Sequence, residues 1–287
     1  YQSKLFKHQT VTQIHLGGGT PTFLTKPQIS SLMNMLHQAF NLAPEGEYSI
    51  EIDPREIELD TLDHLRKEGF NRISLGVQDF NKEVQKAVNR EQSEQFIFDM
   101  IERARNLGFV STSVDLIYGL PHQTAESFTK TIERVIELSP DRLSVFNYAH
   151  LPQMFAAQRK LKEQDMPSPR EKLQILENTI NQLVAAGYQY IGMDHFAKPN
   201  DELAILQRNG KLHRNFQGYT TKPECDLLGL GVSAISQVGN CYAQNKKDIK
   251  EYYSNVDLRS NALWKGVELS QDDFIRRAVI KQLICHF

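Results

Sequence analysis

Cysteine is scarce in this chain of 287 residues: there are three, Cys225, Cys241 and Cys285, far apart and without a Cys-x-x-Cys spacing. That argues against a disulfide framework and suits free thiols in a reducing cytoplasm. An excess of charge of one sign is missing too. A formal net charge of −2 leaves no electrostatic footprint for nucleic acid or an anionic membrane. No apolar run approaches ~18 residues, which excludes a transmembrane helix. No signal peptide is visible, although the first residue is Tyr1 rather than methionine. No acid–base dyad or nucleophile triad stands out. What is present is ordinary for a soluble globular protein: 40% apolar and 24% charged residues, enough chain for one large or two modest domains.

The first half of the sequence alternates strands and helices. Apolar strands are expected at 11–16, 48–52, 72–77, 113–118 and 142–148. Helices are expected at 27–40, 59–68, 82–88, 94–107 and 124–138, where apolar residues recur at helical spacing, as Ile29, Leu32, Met33, Leu36 and Phe40 do. Gly69 and Gly108 sit where two of these helices should close. Strands separated by helices of this length imply right-handed βαβ units and a parallel sheet, open or partly closed as a (β/α) barrel. A further helix, 171–186, precedes residues 188–193, which read as a sixth strand or an extended segment against the barrel. Residues 200–265 read as irregular. Residues 271–286 are amphipathic, with Phe274, Ile275, Val279, Leu283 and Ile284 expected to bury one face. The expected organisation is α/β: a partial barrel over 1–196, then an irregular and helical region over 197–287.

The first strand runs into Gly17, Gly18 and Gly19, followed by Thr20 and Pro21. Consecutive glycines at a strand end let the backbone approach a ligand closely, at the sheet edge where nucleotide-like ligands bind. The same glycines equally suit a plain tight turn. Other strand ends are polar as well: Glu51, Gln78 and Asp115, with Asn147, Tyr148 and Ala149 ending the fifth strand and Arg90 following the helix after Gln78. Carboxylates accept from ribose hydroxyls or an ammonium group, and an arginine pairs with a carboxylate. The set suits a zwitterionic ligand bearing a sugar, while each residue alone also reads as a helix cap or a pair across a loop. His15, His195 and His213 read as structural histidines.

The stretches HLGGGTPTFL, SIEIDPREI, FNRISLGVQDFN, VNREQ, VDLIYGLPHQT, DRLSVFNYAHLP, YIGMDHFAKPNDELA, HRNFQGYTT and LLGLGVSAIS, in this order, resemble the radical S-adenosylmethionine superfamily. Within it they resemble the oxygen-independent coproporphyrinogen III oxidases (dehydrogenases) of haem (porphyrin) biosynthesis. The resemblance implies a radical SAM partial barrel and two molecules of S-adenosyl-L-methionine. Gly18, Glu51, Ala149 and Ile235 would contact one; Gly19, Thr20, Gln78, Arg90 and Asp115 would hold the second. Phe216 and Gln217 match a segment tied to activity near the substrate cavity, and Glu51, Phe216 and Gln217 are the implied catalytic set. The implied reaction uses a 5′-deoxyadenosyl radical to remove a hydrogen from the β-carbon of a propionate. Two propionates of coproporphyrinogen III become vinyl groups, giving protoporphyrinogen IX. A low-potential electron donor such as a flavodoxin system, a monomeric state and a cytoplasmic location go with it.

The family binds a [4Fe–4S] cluster through a Cys-x3-Cys-x2-Cys loop that would lie upstream of Tyr1, and the three cysteines present cannot replace it. No metal ligand is therefore expected within the chain. The expectation is an internal fragment, lacking the cluster loop and the C-terminal end and inactive by itself. A related group of radical SAM proteins, acting in haem binding and delivery, is the alternative. It carries His-Asn-x-x-Tyr-Trp, whereas here no Trp follows Tyr219.

Overall fold

The structure is a computed structural model that describes residues 2–6, 8–223 and 225–286. It divides into two compact units: Phe6–Asp201, and the residues from Glu202 onward with the short helix α1 (Gln2–Leu5).

The first unit is built on β1 (Thr10–Leu16), α2 (Lys26–Ala39), β2 (Asn41–Ile52), α3 (Thr61–Lys67), β3 (Arg72–Gln78), α4 (Lys82–Ala87), α5 (Glu94–Asn106), β4 (Ser111–Tyr118), α6 (Ala125–Leu138), β5 (Arg142–Asn147) and α7 (Pro169–Ala185). The five strands pair in chain order, each parallel to the next. Each crossover contains a helix, as a parallel sheet requires. One face of every strand is apolar. Ile50, Leu75, Val77, Leu116 and Val145 are fully buried, with Leu62, Leu65, Ile97, Met100, Ile101, Phe128 and Ile132 of the helices in the same core. Each such side chain contributes roughly 1.5–3 kcal/mol by leaving water. Helix starts follow the sequence chemistry. Thr25 and Gln28 form a capping box on α2, Thr124 accepts from the backbone of Ser127 on α6, and Ser168 precedes Pro169 on α7. Gly69 and Gly108 close α3 and α5 in left-handed conformation.

The region read as a single sixth strand is a hairpin. β6 (Gln189–Gly192) pairs antiparallel with β7 (His195–Ala197), and β7 pairs antiparallel with β5. Gly192 and Met193 turn the chain with positive φ. The order β1-β2-β3-β4-β5-β7-β6 leaves β1 and β6 unpaired with each other, so the sheet stays open, as a partial barrel.

In the second unit, residues read as irregular carry α8 (Glu202–Arg208), an antiparallel pair β8 (His213–Asn215) and β9 (Gly218–Thr220), a three-stranded antiparallel sheet β10 (Ile235–Val238), β11 (Cys241–Asn245) and β12 (Leu263–Glu268), and α9 (Ile249–Arg259). The final helix, α10 (Gln271–Cys285), begins at a Ser270–Asp273 capping box. Its burial differs from expectation. Phe274 and Ile284 are half-buried and Cys285 is buried, but Ile275, Val279 and Leu283 are exposed, with Ile280 beside them. At 3.6 residues per turn these four exposed side chains share one face of α10, opposite the buried Cys285.

Candidate cofactor site on the polar face of the sheet

Side chains alternate across a strand, so the face opposite the apolar core carries the other residue set. Here most of that set is polar: Gln13 and His15 on β1, Glu47, Ser49 and Glu51 on β2, Arg72, Ser74 and Gly76 on β3, Ser113 and Asp115 on β4, Ser144 on β5, with Ile117 and Phe146 beyond them. Strand register joins them into one field. His15 lies opposite Ser49, Glu51 opposite Ser74, Gly76 opposite Asp115, and Asp115 opposite Ser144.

Glu51 is held from two sides. Its Oε1 lies 3.2 Å from His15 Nε2, and Oε2 accepts the backbone N–H of Gly18 at 3.2 Å. His15 Nδ1 is in turn 2.9 Å from Ser49 Oγ. Burial pushes the Glu51 carboxyl up, but the His15 contact and the Gly18 N–H outweigh it and hold Glu51 below its ordinary value. Gly17 lies close beneath this pair: a Cβ there would stand 2.6 Å from the Glu51 carboxyl and from His15 Nε2, so the ends of those side chains would have to shift. Gly18 takes a positive φ of 83°. A Cβ on Gly18 or Gly19 would meet nothing within 4 Å, so their backbone faces open space. Thr20 follows, its carbonyl accepting from Phe23 N in the turn at Pro21–Phe23.

Asp115 accepts from Ser74 Oγ at 2.9 Å. Burial pushes its carboxyl up to about 6, against hydrogen bonds from Ser74 and Ser144, with the Glu51 charge adding to the rise. Gln78 and Arg90 converge beside Gly76, where an added Cβ would lie 3.0 Å from Gln78 Nε2 and 3.4 Å from Arg90 Nη2. Gln78 has a φ of 68°, unusual for a non-glycine, at a register irregularity between β3 and β4. Its Oε1 is buried without a hydrogen-bond partner, and so is Arg90 Nε. Arg90 Nη2 donates to Asp53 Oδ2 at 3.1 Å. Buried polar atoms without partners are costly, and here they sit on two side chains at the same strand ends. They fit the zwitterionic end of an amino-acid cofactor, one carboxylate and one ammonium.

The structure thus brings together Gly18 with Glu51, and Gln78 with Arg90, with Asp115 on the strand beside them. His15, Ser49, Asp53, Ser74 and Ser144 also belong to the set, and strand position alone did not single them out, since their pairing depends on cross-strand register. Ala149 follows β5, and its carbonyl accepts from Gln158 Nε2 at 3.2 Å. The remaining named residues lie in the second unit. Phe216 and Gln217 form the β8–β9 turn, where Gln217 N donates to Asn215 Oδ1 at 2.9 Å. The Phe216 ring stands edge-on to Tyr242, with centroids 5.2 Å apart. Ile235 opens β10, and its backbone presses on Gly229, where a Cβ would lie 2.6 Å from Ile235 O. Among the described residues no three His, Cys, Asp or Glu side chains group to hold a metal ion. Cys225 and Cys241 are exposed and Cys285 is buried. These residues therefore do not fit a [4Fe–4S] cluster. No helix among the described residues is long and apolar enough to cross a membrane.

An open parallel sheet with a glycine loop after its first strand and this polar face is the architecture of the radical SAM superfamily, whose family model matches residues 2–135. Oxygen-independent coproporphyrinogen III oxidase of Escherichia coli is 64% identical over 287 residues, all of this chain and 63% of that protein. The protein of the same name from Thermostichus vulcanus is 48% identical over 250 residues, 87% of this chain and 77% of that protein. The solved structure of E. coli coproporphyrinogen III oxidase, described as a radical SAM enzyme, superposes with a TM-score of 0.98 at 64% identity, covering 100% of this chain and 66% of that one. The chain belongs to the family of oxygen-independent coproporphyrinogen III oxidases. It spans 63% of the length of its E. coli relative.

Proposed function

We propose that the protein to which this chain belongs decarboxylates two propionate side chains of coproporphyrinogen III to vinyl groups, giving protoporphyrinogen IX without oxygen. The observation that carries this reading is 64% identity along the whole chain to an enzyme of that name. The polar strand-end field supports it. Each propionate loses a β-hydrogen, carbon dioxide and one electron.

S-adenosylmethionine, held by residues of this chain, would supply the radical chemistry of hydrogen abstraction once a one-electron donor acts on it. The cluster ligands lie outside the described residues. This chain's residues bind and orient. Glu51, kept ionised by His15 and Gly18, accepts hydrogen bonds from the first cofactor, with the Gly18 backbone and Ala149 also contacting it. Gly19, Thr20, Gln78, Arg90 and Asp115 hold a second S-adenosylmethionine, Arg90 receiving its carboxylate. Phe216 and Gln217 face the porphyrinogen. The apolar core beneath the sheet keeps water from the underside of the site. A low-potential donor, a monomeric state and a cytoplasmic location complete the reading. Haem delivery without decarboxylation is not favoured, because the relatives just named carry the oxidase name.

The test is anaerobic incubation of the full-length protein, cluster loaded, with S-adenosylmethionine, a reductant and coproporphyrinogen III. Two carbon dioxides per porphyrinogen are expected. Haem binding with no carbon dioxide would favour delivery instead.

A further inference from the structure

Asp53 is 8% exposed and carries two arginines. Its Oδ1 accepts Arg55 N at 3.1 Å and Arg55 Nε at 2.9 Å; its Oδ2 accepts Arg55 Nη2 at 2.6 Å and Arg90 Nη2 at 3.1 Å. Arg55 Nη1 reaches on to the carbonyl of Asn89, the residue before Arg90, at 2.8 Å. Arg90 N donates to Gln85 O at 2.8 Å. Arg90 is thus fixed at its backbone, at its neighbour's carbonyl and at one end of its guanidinium. The Asp53 carboxyl sits below its ordinary value: burial raises it, and the Arg55 bonds and the Arg90 charge outweigh that. Two guanidiniums share the one buried carboxylate, and the charge of Glu56 acts on Arg55 and not on Arg90. Arg55 has spent Nε, Nη1 and Nη2 on protein acceptors, whereas Arg90 Nε is buried without a partner.

We infer that Asp53 and Arg55 are positioning residues: they form a clasp that aims the unpaired edge of Arg90 at a ligand carboxylate. The inference rests on the proposed second S-adenosylmethionine site and deepens it. Neither residue touches the ligand. Asp53 fixes one end of the Arg90 fork and leaves Nε open, and Arg55 locks Asp53 and the loop that carries Arg90. A guanidinium held in place loses less entropy on binding than a free one.

The experiment is calorimetric titration of the full-length, cluster-loaded protein with S-adenosylmethionine, giving the number of equivalents and each affinity. Asp53→Asn keeps an acceptor for the Arg55 backbone and removes the charge, so the turn is retained. It should weaken the second equivalent by roughly tenfold to a hundredfold, the scale of a lost charge-assisted hydrogen bond, and leave the first unchanged. Arg55→Gln should act in the same direction. A double-mutant cycle separates aiming from folding: in an Arg90→Ala background, Asp53→Asn should have no further effect on second-site affinity. Additive losses, or unchanged second-site affinity in Asp53→Asn, would overturn the clasp while leaving the two-cofactor reading intact. A single equivalent in the wild-type protein would overturn that reading and the clasp with it.

Discussion

The backbone N–H of Gly18 donates to Oε2 of Glu51 at 3.2 Å, joining the glycine loop after β1 to the end of β2 across 33 positions of sequence. One oxygen of Glu51 thus holds the loop and the other meets His15. The loop's shape and the charge at the strand ends are a single feature, and its parts can be perturbed separately.

Gly17→Ala should be far more damaging than Gly19→Ala. The first drives a methyl into Glu51 and His15, while the second points into open space. Gly17 is exposed, so the methyl displaces the ends of Glu51 and His15 rather than core packing, and the loss is that of their contact, about 0.5–1.5 kcal/mol. Thermal melts should show a clear loss for Gly17→Ala and near-wild-type stability for Gly19→Ala. Equal melting temperatures would mean that the Gly17 contact is not as tight as described.

His15→Ala should raise the Glu51 carboxyl, because the bond and charge that lower it are gone while burial remains. A carboxyl lowered in the fold stabilises above its unfolded value, and that stability fades as pH falls through the folded one. The wild type should therefore lose this contribution in acid, below the ordinary 4.5 of a glutamate. The variant should lack it at neutral pH. A carbon-13 NMR titration of Glu51 in both proteins reads the shift directly, and an unchanged midpoint would remove His15 from its role.

Asp115 works in the opposite sense. Its carboxyl, at about 6 in the fold against an ordinary 3.8, binds a proton in the native state that the unfolded chain has released. Its contribution is fully present below about 4 and is lost as pH rises through about 6. Asp115→Asn should consequently gain stability relative to wild type between those two pH values, with no further change above 7. Chemical denaturation at a series of pH values checks this; a difference that does not vary with pH would place Asp115 in a wetter setting.

Asp79 is a buried anchor with no place in the cofactor site. It is 1% exposed and accepts from Gln123 Nε2 at 2.6 Å, from Thr131 Oγ1 at 2.5 Å and from Asn81 N at 2.8 Å. Asp79→Ala strands three donors and should cost about 2–5 kcal/mol. Urea denaturation measures it, and a loss under 1 kcal/mol would show that water replaces the carboxylate.

The parallel core of the sheet was legible because its signals are long and redundant: apolar strands, amphipathic helices and closing glycines all agree. The β6–β7 hairpin was not, since β7 has three residues and the turn at Gly192 and Met193 reads as part of one extended run. The small strands of the second unit, three to six residues each, are too short to show an alternating pattern. In the site, Glu51, Gln78 and Asp115 stood out as polar residues ending apolar strands. Ser74 and Ser144 did not, because a serine in a strand means nothing until register sets Ser144 opposite Asp115 and Ser74 on the diagonal to it. His15 reads from sequence as structural, and its contact with Glu51 appears only across the strands. Asp53 was hidden beside Pro54 as a turn residue, and only the tertiary approach of Arg90 reveals its second partner.

The most direct measurement of the central claim follows deuterium. Coproporphyrinogen III deuterated at the β-carbons of its propionates is given anaerobically to the full-length, cluster-loaded protein with S-adenosylmethionine and reductant. The account predicts deuterium in the recovered 5′-deoxyadenosine together with vinyl product, and neither in Glu51→Ala with the cluster absorbance intact. Unlabelled 5′-deoxyadenosine from the wild type, or labelled product formed undiminished by Glu51→Ala, would contradict it.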